Sequence, residues 1–192
     1  MVAITSTAPP PCSQEMPTCF MDVLIEWGST WLWDYLRLVG EESWLEEAIQ
    51  DRTCLAVIDG LYMKELYPDL CSAAFFLECS KGRGKIFGSF QEQSVVVSAY
   101  RGELLGIMAI HLILLEVNKV SPTLQGRAQI YSDCLVALET VDTLPTKRIP
   151  CRYKHSDILK NIMVNCWNLT FACSYSHVKD FSHCEFLCWS IT

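Results

Sequence analysis

Apolar positions along the chain gather in several short runs bounded by polar and turn residues, and in one long segment they fill most of a helical period. From Ser98 to Leu115 the chain reads SAYRGELLGIMAIHLILL, with Leu104, Ile107, Met108, Leu112, Ile113 and Leu115 covering most of a helix circumference. That pattern predicts a helix packed on several sides. Ser98 supplies an N-cap hydroxyl for an orphan first-turn N–H. No proline follows before Pro122, so the helix is expected to continue to the Asn118–Ser121 region. Its uncharged stretch is about 12 residues against the roughly 20 a bilayer core requires, which predicts a buried helix and no membrane span.

Strand-like runs surround it. Cys54 to Asp59 is apolar and closes on Asp59-Gly60; Ser72 to Cys79 and Lys85 to Phe90 follow, joined by the turn Lys81-Gly-Arg-Gly84. The short turn predicts an antiparallel meander of three strands. After a 119–127 loop, Ala128 to Asp133 reads as a fourth strand and Cys134 to Val141 as a helix with Leu135, Leu138 and Val141 inward. Pro145 and Pro150 bracket a basic loop, His155 to Cys166 is helical in pattern, and Leu169 to Val178 is a fifth strand. The order β-β-β-α-β-α-β predicts an α/β fold with a five-stranded mixed sheet and helices packed on it. Upstream, a helix is expected near 30–38, a break at Gly40, and a second helix from Ser43 to Gln50 opened by a Ser43/Glu46 capping box. The expected organisation is a disordered Pro/Thr/Ser-rich tail at 1–18, an acidic, Trp-rich helical segment at 19–50, an α/β domain at 51–181 and an atypical tail at 182–192. Trp27, Trp31, Trp33 and Trp44 are expected to pack the acidic segment onto the domain or onto a neighbouring part of a longer polyprotein.

Charge narrows the function. The net charge of -7 argues against a simple basic nucleic-acid-binding domain, yet it is concentrated upstream. Residues 20–50 carry seven acids against Arg37 alone, and from residue 51 onward 14 acids balance 14 Lys and Arg. Eleven cysteines lack a regular spacing, and Cys54, Cys71, Cys79, Cys134 and Cys173 lie in apolar or strand-like contexts, where a free cysteine behaves as a small hydrophobe. With no basic-then-apolar leader at the start, a reduced intracellular protein of the cytoplasm or nucleus is expected. His177, His183, Cys184 and Cys188 match no paired-cysteine zinc knuckle.

Three acids remain. Asp59 ends the first predicted strand, Asp133 ends the fourth, and Glu103 interrupts the apolar helix near its start. If strands one and four are neighbours, their C-terminal ends lie side by side and the helix aims Glu103 between them. Carboxylates brought that close repel unless divalent cations share them. Hard oxygen donors favour Mg2+ or Mn2+, and a pair of such ions supports in-line hydrolysis of a phosphodiester. Each acid also has a purely structural reading: Asp59-Gly60 as a turn, Asp133 as the N-cap of the next helix, Glu103 as a first-turn acid favoured by the helix dipole.

Residues 43–180 resemble the ribonuclease H domain of retroelement, reverse-transcriptase-linked polyproteins. The stretches that carry the resemblance are Trp44-Leu45 with Ala48-Ile49, Val57-Ile-Asp-Gly-Leu-Tyr-Met63, Cys71-Ser-Ala-Ala-Phe75, Ala99-Tyr-Arg-Gly-Glu-Leu-Leu-Gly-Ile-Met-Ala-Ile-His-Leu112, Ile130-Tyr-Ser-Asp-Cys134, Arg148-Ile-Pro150 with His155-Ser-Asp-Ile-Leu-Lys160, and Tyr175-Ser-His-Val-Lys179. The resemblance implies a ribonuclease H fold, cleavage of the RNA strand of RNA–DNA hybrids with Mg2+ or Mn2+, and metal-binding, catalytic roles for Asp59, Glu103 and Asp133. It also implies, as a partner, a reverse transcriptase domain of the same element. The chain departs from the family at Leu61, where a small hydroxyl residue is usual, and at Asp180-Phe181 and the 182–192 tail, where a histidine and a fourth acid are usual. The alternative is therefore a catalytically inactive nucleic-acid-binding or protein-interaction module on the same fold. Lys147, Arg148, Arg152, Lys154, His155 and Lys160 form the main candidate phosphate-binding patch, Lys81, Arg83 and Lys85 a smaller one, and Arg101 lies next to the acidic site in sequence; Ser132 and Tyr62 are its expected flankers.

Overall fold

The computed structural model describes residues 35–41, 43–146 and 148–179. The strands are β1 (Arg37–Gly40), β2 (Cys54–Leu61), β3 (Leu70–Cys79), β4 (Gly84–Gln93), β5 (Arg127–Ser132) and β6 (Ala172–His177), and the helices are α1 (Trp44–Gln50), α2 (Ala99–Val120), α3 (Leu135–Thr143) and α4 (Ser156–Asn168). The strands form one mixed sheet in the order β1-β4-β3-β2-β5-β6. The expected meander is β2-β3-β4, antiparallel throughout. β5 lies parallel to β2 and β6 parallel to β5, so the two strands that carry Asp59 and lead to Asp133 are neighbours.

Two expectations fail at the upstream edge. The sheet has six strands, because Arg37–Gly40 pairs antiparallel with β4 where a helix near 30–38 was expected. Leu36 and Leu38 pack on the core at a period of two, and that is the period of a strand. The capping box is also absent. Ser43 stands in the helical region and caps nothing with its side chain; its hydroxyl instead donates to Glu47 Oε1 at 2.7 Å. The expected features at 1–34 and 180–192, including Trp27, Trp31, Trp33, Phe181, His183, Cys184 and Cys188, lie outside the described residues.

Alternation along β2 organises the core. Cys54, Ala56 and Ile58 are buried, whereas Leu55, Val57 and Asp59 are only half-buried. The buried face meets α2, which crosses β2 and β3 and packs on its far side against α4. Helix α2 begins as predicted, with Ser98 Oγ accepting from Arg101 N–H at 3.1 Å. Its C-terminal end is fastened by Asn118, whose Oδ1 accepts from Thr170 N–H at 2.9 Å and whose Nδ2 donates to the Asn168 carbonyl at 3.1 Å. Midway, fully buried His111 shares a 2.8 Å hydrogen bond with the Tyr175 hydroxyl of β6. Among the described residues no helix is long and apolar enough to cross a membrane.

Candidate active site

Asp59, Glu103 and Asp133 converge: each offers a carboxylate oxygen, and these oxygens all lie within 4.8 Å of one another. Glu103 is buried, Asp59 half-buried and Asp133 exposed, so the cluster grades from the core out to solvent. Asp59 comes from β2 two residues before its end, Asp133 follows β5 directly, and Glu103 comes from the second turn of α2.

The close approach of α2 to β2 depends on glycine. A Cβ at Gly60 would stand 2.5 Å from the Glu103 nitrogen, and one at Gly102 would stand 2.8 Å from the Ser72 carbonyl oxygen. No side chain fits either gap, so two glycines let the helix backbone rest on the strand. Gly60 N–H then donates to Glu103 Oε1 at 2.8 Å. On the other side Ser132 Oγ, fully buried, donates to Glu103 Oε2 at 2.9 Å and accepts from Cys134 N–H at 2.9 Å. The carboxylate is thus fixed in plane by one donor from each neighbouring strand, and each oxygen keeps a further lone pair for a ligand.

The electrostatics are unbalanced. Burial pushes the Glu103 carboxyl up to about 7; the Gly60 and Ser132 hydrogen bonds oppose this, and the Asp133 and Asp59 charges add to it. Burial and the Asp133 charge likewise raise Asp59. Among the described residues no Lys or Arg forms a salt bridge with any of the three. Three hard oxygen donors in one place, short of compensating charge, fit a divalent cation.

The candidate cations of the sequence fare unevenly. Arg101 is buried and faces away from the acids: its Nη2 donates to Glu92 at 2.6 Å and to Asp157 at 2.9 Å, tying α2 to β4 and α4. His155, the left-handed residue that starts α4, is buried as well, 3.3 Å from Arg101, and so leaves the basic patch. Lys147 lies outside the described residues. Arg148, Arg152 and Lys154 are exposed, while Lys160 Nζ donates to Cys151 Sγ at 3.1 Å. In the smaller patch Lys81 and Arg83 pair with Asp51 and Glu47, and this neutralises them. Tyr62 donates to the Pro68 carbonyl at 3.0 Å and holds its own loop. Sequence reasoning missed one neighbour: the His177 ring lies 3.0 Å from the Asp133 carbonyl oxygen, at the end of a strand whose register the sequence does not reveal.

The same arrangement of strands and helices is found in a foamy virus protein. The prototype foamy virus protease–reverse transcriptase superposes with a TM-score of 0.51 at 14% identity over 66% of this chain, which spans 17% of the viral one. The chain has a ribonuclease H-like fold. The separate ribonuclease H domain of that virus (TM-score 0.49, 12% identity, 66% of this chain and 79% of that one) and ribonuclease H1 of Halobacterium salinarum (0.46, 13%, 65% and 84%) also match. No family model and no curated protein sequence matches. At such identities the likeness concerns architecture, and the activity of this ribonuclease H-like domain has to be argued from its side chains.

Proposed function

We propose that the domain hydrolyses the RNA strand of RNA–DNA hybrids with the help of Mg2+ or Mn2+, and that Asp59, Glu103 and Asp133 hold the metal. The observation that carries this reading is the convergence of the three carboxylates at the ends of β2 and β5. Asp59, Glu103 and Asp133 would hold a divalent ion or ion pair, which would supply Lewis-acid charge for phosphodiester hydrolysis. The chain's own residues do the rest. Gly60 N–H and Ser132 fix the plane of Glu103, so its orientation is set before any ligand arrives. Exposed Asp133 leaves the site open on its solvent side, where a strand of nucleic acid has access. Arg148, Arg152 and Lys154 are exposed cations that would seat backbone phosphates without reading bases, which makes binding salt-dependent. Recognition of RNA would come from its 2′-hydroxyls and groove shape. The viral match lies within a protease–reverse transcriptase, and we extend the proposal to a reverse transcriptase domain as this domain's partner in one polyprotein.

The test is cleavage of an end-labelled RNA–DNA hybrid by the purified chain, with Mg2+ or Mn2+ and with chelator, beside an Asp59→Asn variant. The expected result is divalent-dependent cutting of the RNA strand alone, absent from the variant. Hybrid binding without cutting above the Asp59→Asn background would instead assign the domain to non-catalytic binding.

A further inference from the structure

No cysteine thiol is used in the acidic centre as described, and one pair of cysteines stands out by its place in the sheet. We propose that Cys54 and Cys79 form a modification site, a cross-strand thiol pair that hydrogen peroxide converts to a disulfide.

The geometry comes from the ladder. Cys54 of β2 and Cys79 of β3 are direct register partners, and both point to the buried face, each 1% exposed. Just beyond them Ser80 N–H donates to the Thr53 carbonyl at 2.9 Å. The Thr53/Ser80 pair is therefore hydrogen-bonded, and alternation along an antiparallel ladder makes Cys54/Cys79 a non-hydrogen-bonded pair. Such pairs bring their Cα atoms to about 4.5 Å, inside the window of about 4.4–6.8 Å that a disulfide spans. No backbone shift of several ångströms is needed to join the two sulfurs.

The chemistry of the two thiols differs. Arg83 Nε donates to Cys79 Sγ at 3.4 Å, and Thr53 Oγ1 lies 3.4 Å from the same sulfur. Burial opposes ionisation of Cys79, but the hydrogen bonds from Thr53, from Arg83 and from the Lys81 and Arg83 backbone outweigh it and bring the thiol down to about 7. Cys54 has no such donors, and burial pushes it up to about 12. Cys79 is thus the nucleophile and Cys54 the resolving thiol. Arg83 is itself steered by Glu47 at 2.7 Å and Asp51 at 2.8 Å. Its side chain is 30% exposed and touches the sulfur through Nε, which gives a molecule as small as peroxide a short path from solvent.

The steps balance. The Cys79 thiol loses its proton to solvent and the thiolate attacks one peroxide oxygen; an S–O bond forms, the O–O bond breaks, and the departing hydroxide takes up a proton from solvent to leave as water. The Cys54 sulfur then attacks the sulfenic sulfur; the S–S bond forms, the S–O bond breaks, and the departing hydroxide carries off the Cys54 proton as water. Two thiols are oxidised and one peroxide is reduced to two waters.

The experiment treats the folded full chain with hydrogen peroxide at pH 7, alkylates the remaining thiols under denaturing conditions and maps tryptic peptides. The expected product joins residues 53–64 to residues 65–81 with the loss of two hydrogen atoms, and fragment ions place the link at Cys79 and not at Cys71. Arg83→Met should slow its formation roughly tenfold or more, and Cys54→Ser should leave a Cys79 sulfenic acid that dimedone traps when the oxidised chain is denatured in its presence. The proposal is overturned if Cys54 and Cys79 stay alkylatable while exposed Cys151 oxidises. It is equally overturned if either cysteine links elsewhere, or if the 53–64 to 65–81 link forms only in denaturant.

Discussion

Replacing Glu103 with glutamine should stabilise the metal-free protein at alkaline pH while removing a proposed metal ligand. Burial first, then the Asp133 and Asp59 charges, lift the Glu103 carboxyl from its ordinary 4.5 to about 7. A carboxyl raised on folding binds its proton more tightly in the native state than in the unfolded one. Its contribution is favourable below pH 4.5 and is lost as pH rises through 7. At pH 8 the ionised side chain therefore costs the native state about 3 kcal/mol. The side chain is 4% exposed, so solvent screening reduces this little. Glutamine keeps the acceptor for Gly60 N–H and offers an N–H toward Ser132 Oγ, but leaves the serine hydroxyl without its carboxylate acceptor, which returns about 1 kcal/mol. A net gain of about 1–2 kcal/mol at pH 8, vanishing or reversed at pH 4.5, is the expected difference between variant and wild type. Urea unfolding in chelator across pH 4.5–8.5 measures it. Added Mg2+ should then raise the midpoint of the wild type and leave that of the variant nearly unchanged. If the stability difference were independent of pH, or if Glu103→Gln were the less stable protein at pH 8, the electrostatic account of this site would be wrong.

Three further outcomes follow from single contacts. Gly60→Ala forces a methyl group to within 2.5 Å of the Glu103 nitrogen; the helix must lift off the strand, at a cost of about 2 kcal/mol or more, and hybrid cleavage should fall with it, both read by urea melts and rate assays. Arg101→Met leaves Glu92 and Asp157 without their shared cation; because Asp157 is 60% exposed, the loss in chemical denaturation should be about 2 kcal/mol, below that of a fully buried pair. His111 is held by burial down at about 4, so its share of stability is complete above pH 6.5 and is lost as pH falls toward 4. A His111→Gln variant should accordingly show a shallower fall between pH 6.5 and 4 in acid titration followed by circular dichroism.

What could be read before folding follows from period and residue type. The apolar run that closes on Asp59-Gly60 and the long apolar face of α2 placed the sheet and its covering helix, and an acid set into an otherwise apolar helix marked Glu103. Distances depend on register, which single residues do not carry. Nothing in the chain announces that Gly60 N–H and Ser132 Oγ would meet Glu103 from two neighbouring strands, and β1 was hidden because a four-residue strand shows its two-residue period only through Leu36 and Leu38. His155 looked like a surface cation for the same reason: its burial is set by Arg101, far away in sequence.

Arg101 also accounts for the charge imbalance of the site. It stands two residues before Glu103 on α2, and two steps along an α-helix turn the side chain through roughly 200°. The one cation adjacent in sequence is therefore directed to the far side of the helix, where Glu92 and Asp157 occupy its guanidinium. Had the spacing been three or four residues, Arg101 would have shared a face with Glu103 and an internal ion pair would have formed. Because it does not, the repulsion among Asp59, Glu103 and Asp133 is left for a ligand from solution to relieve. A fold that keeps its nearest arginine turned away from a buried carboxylate keeps that carboxylate free of an internal counter-ion, as the proposed metal site requires.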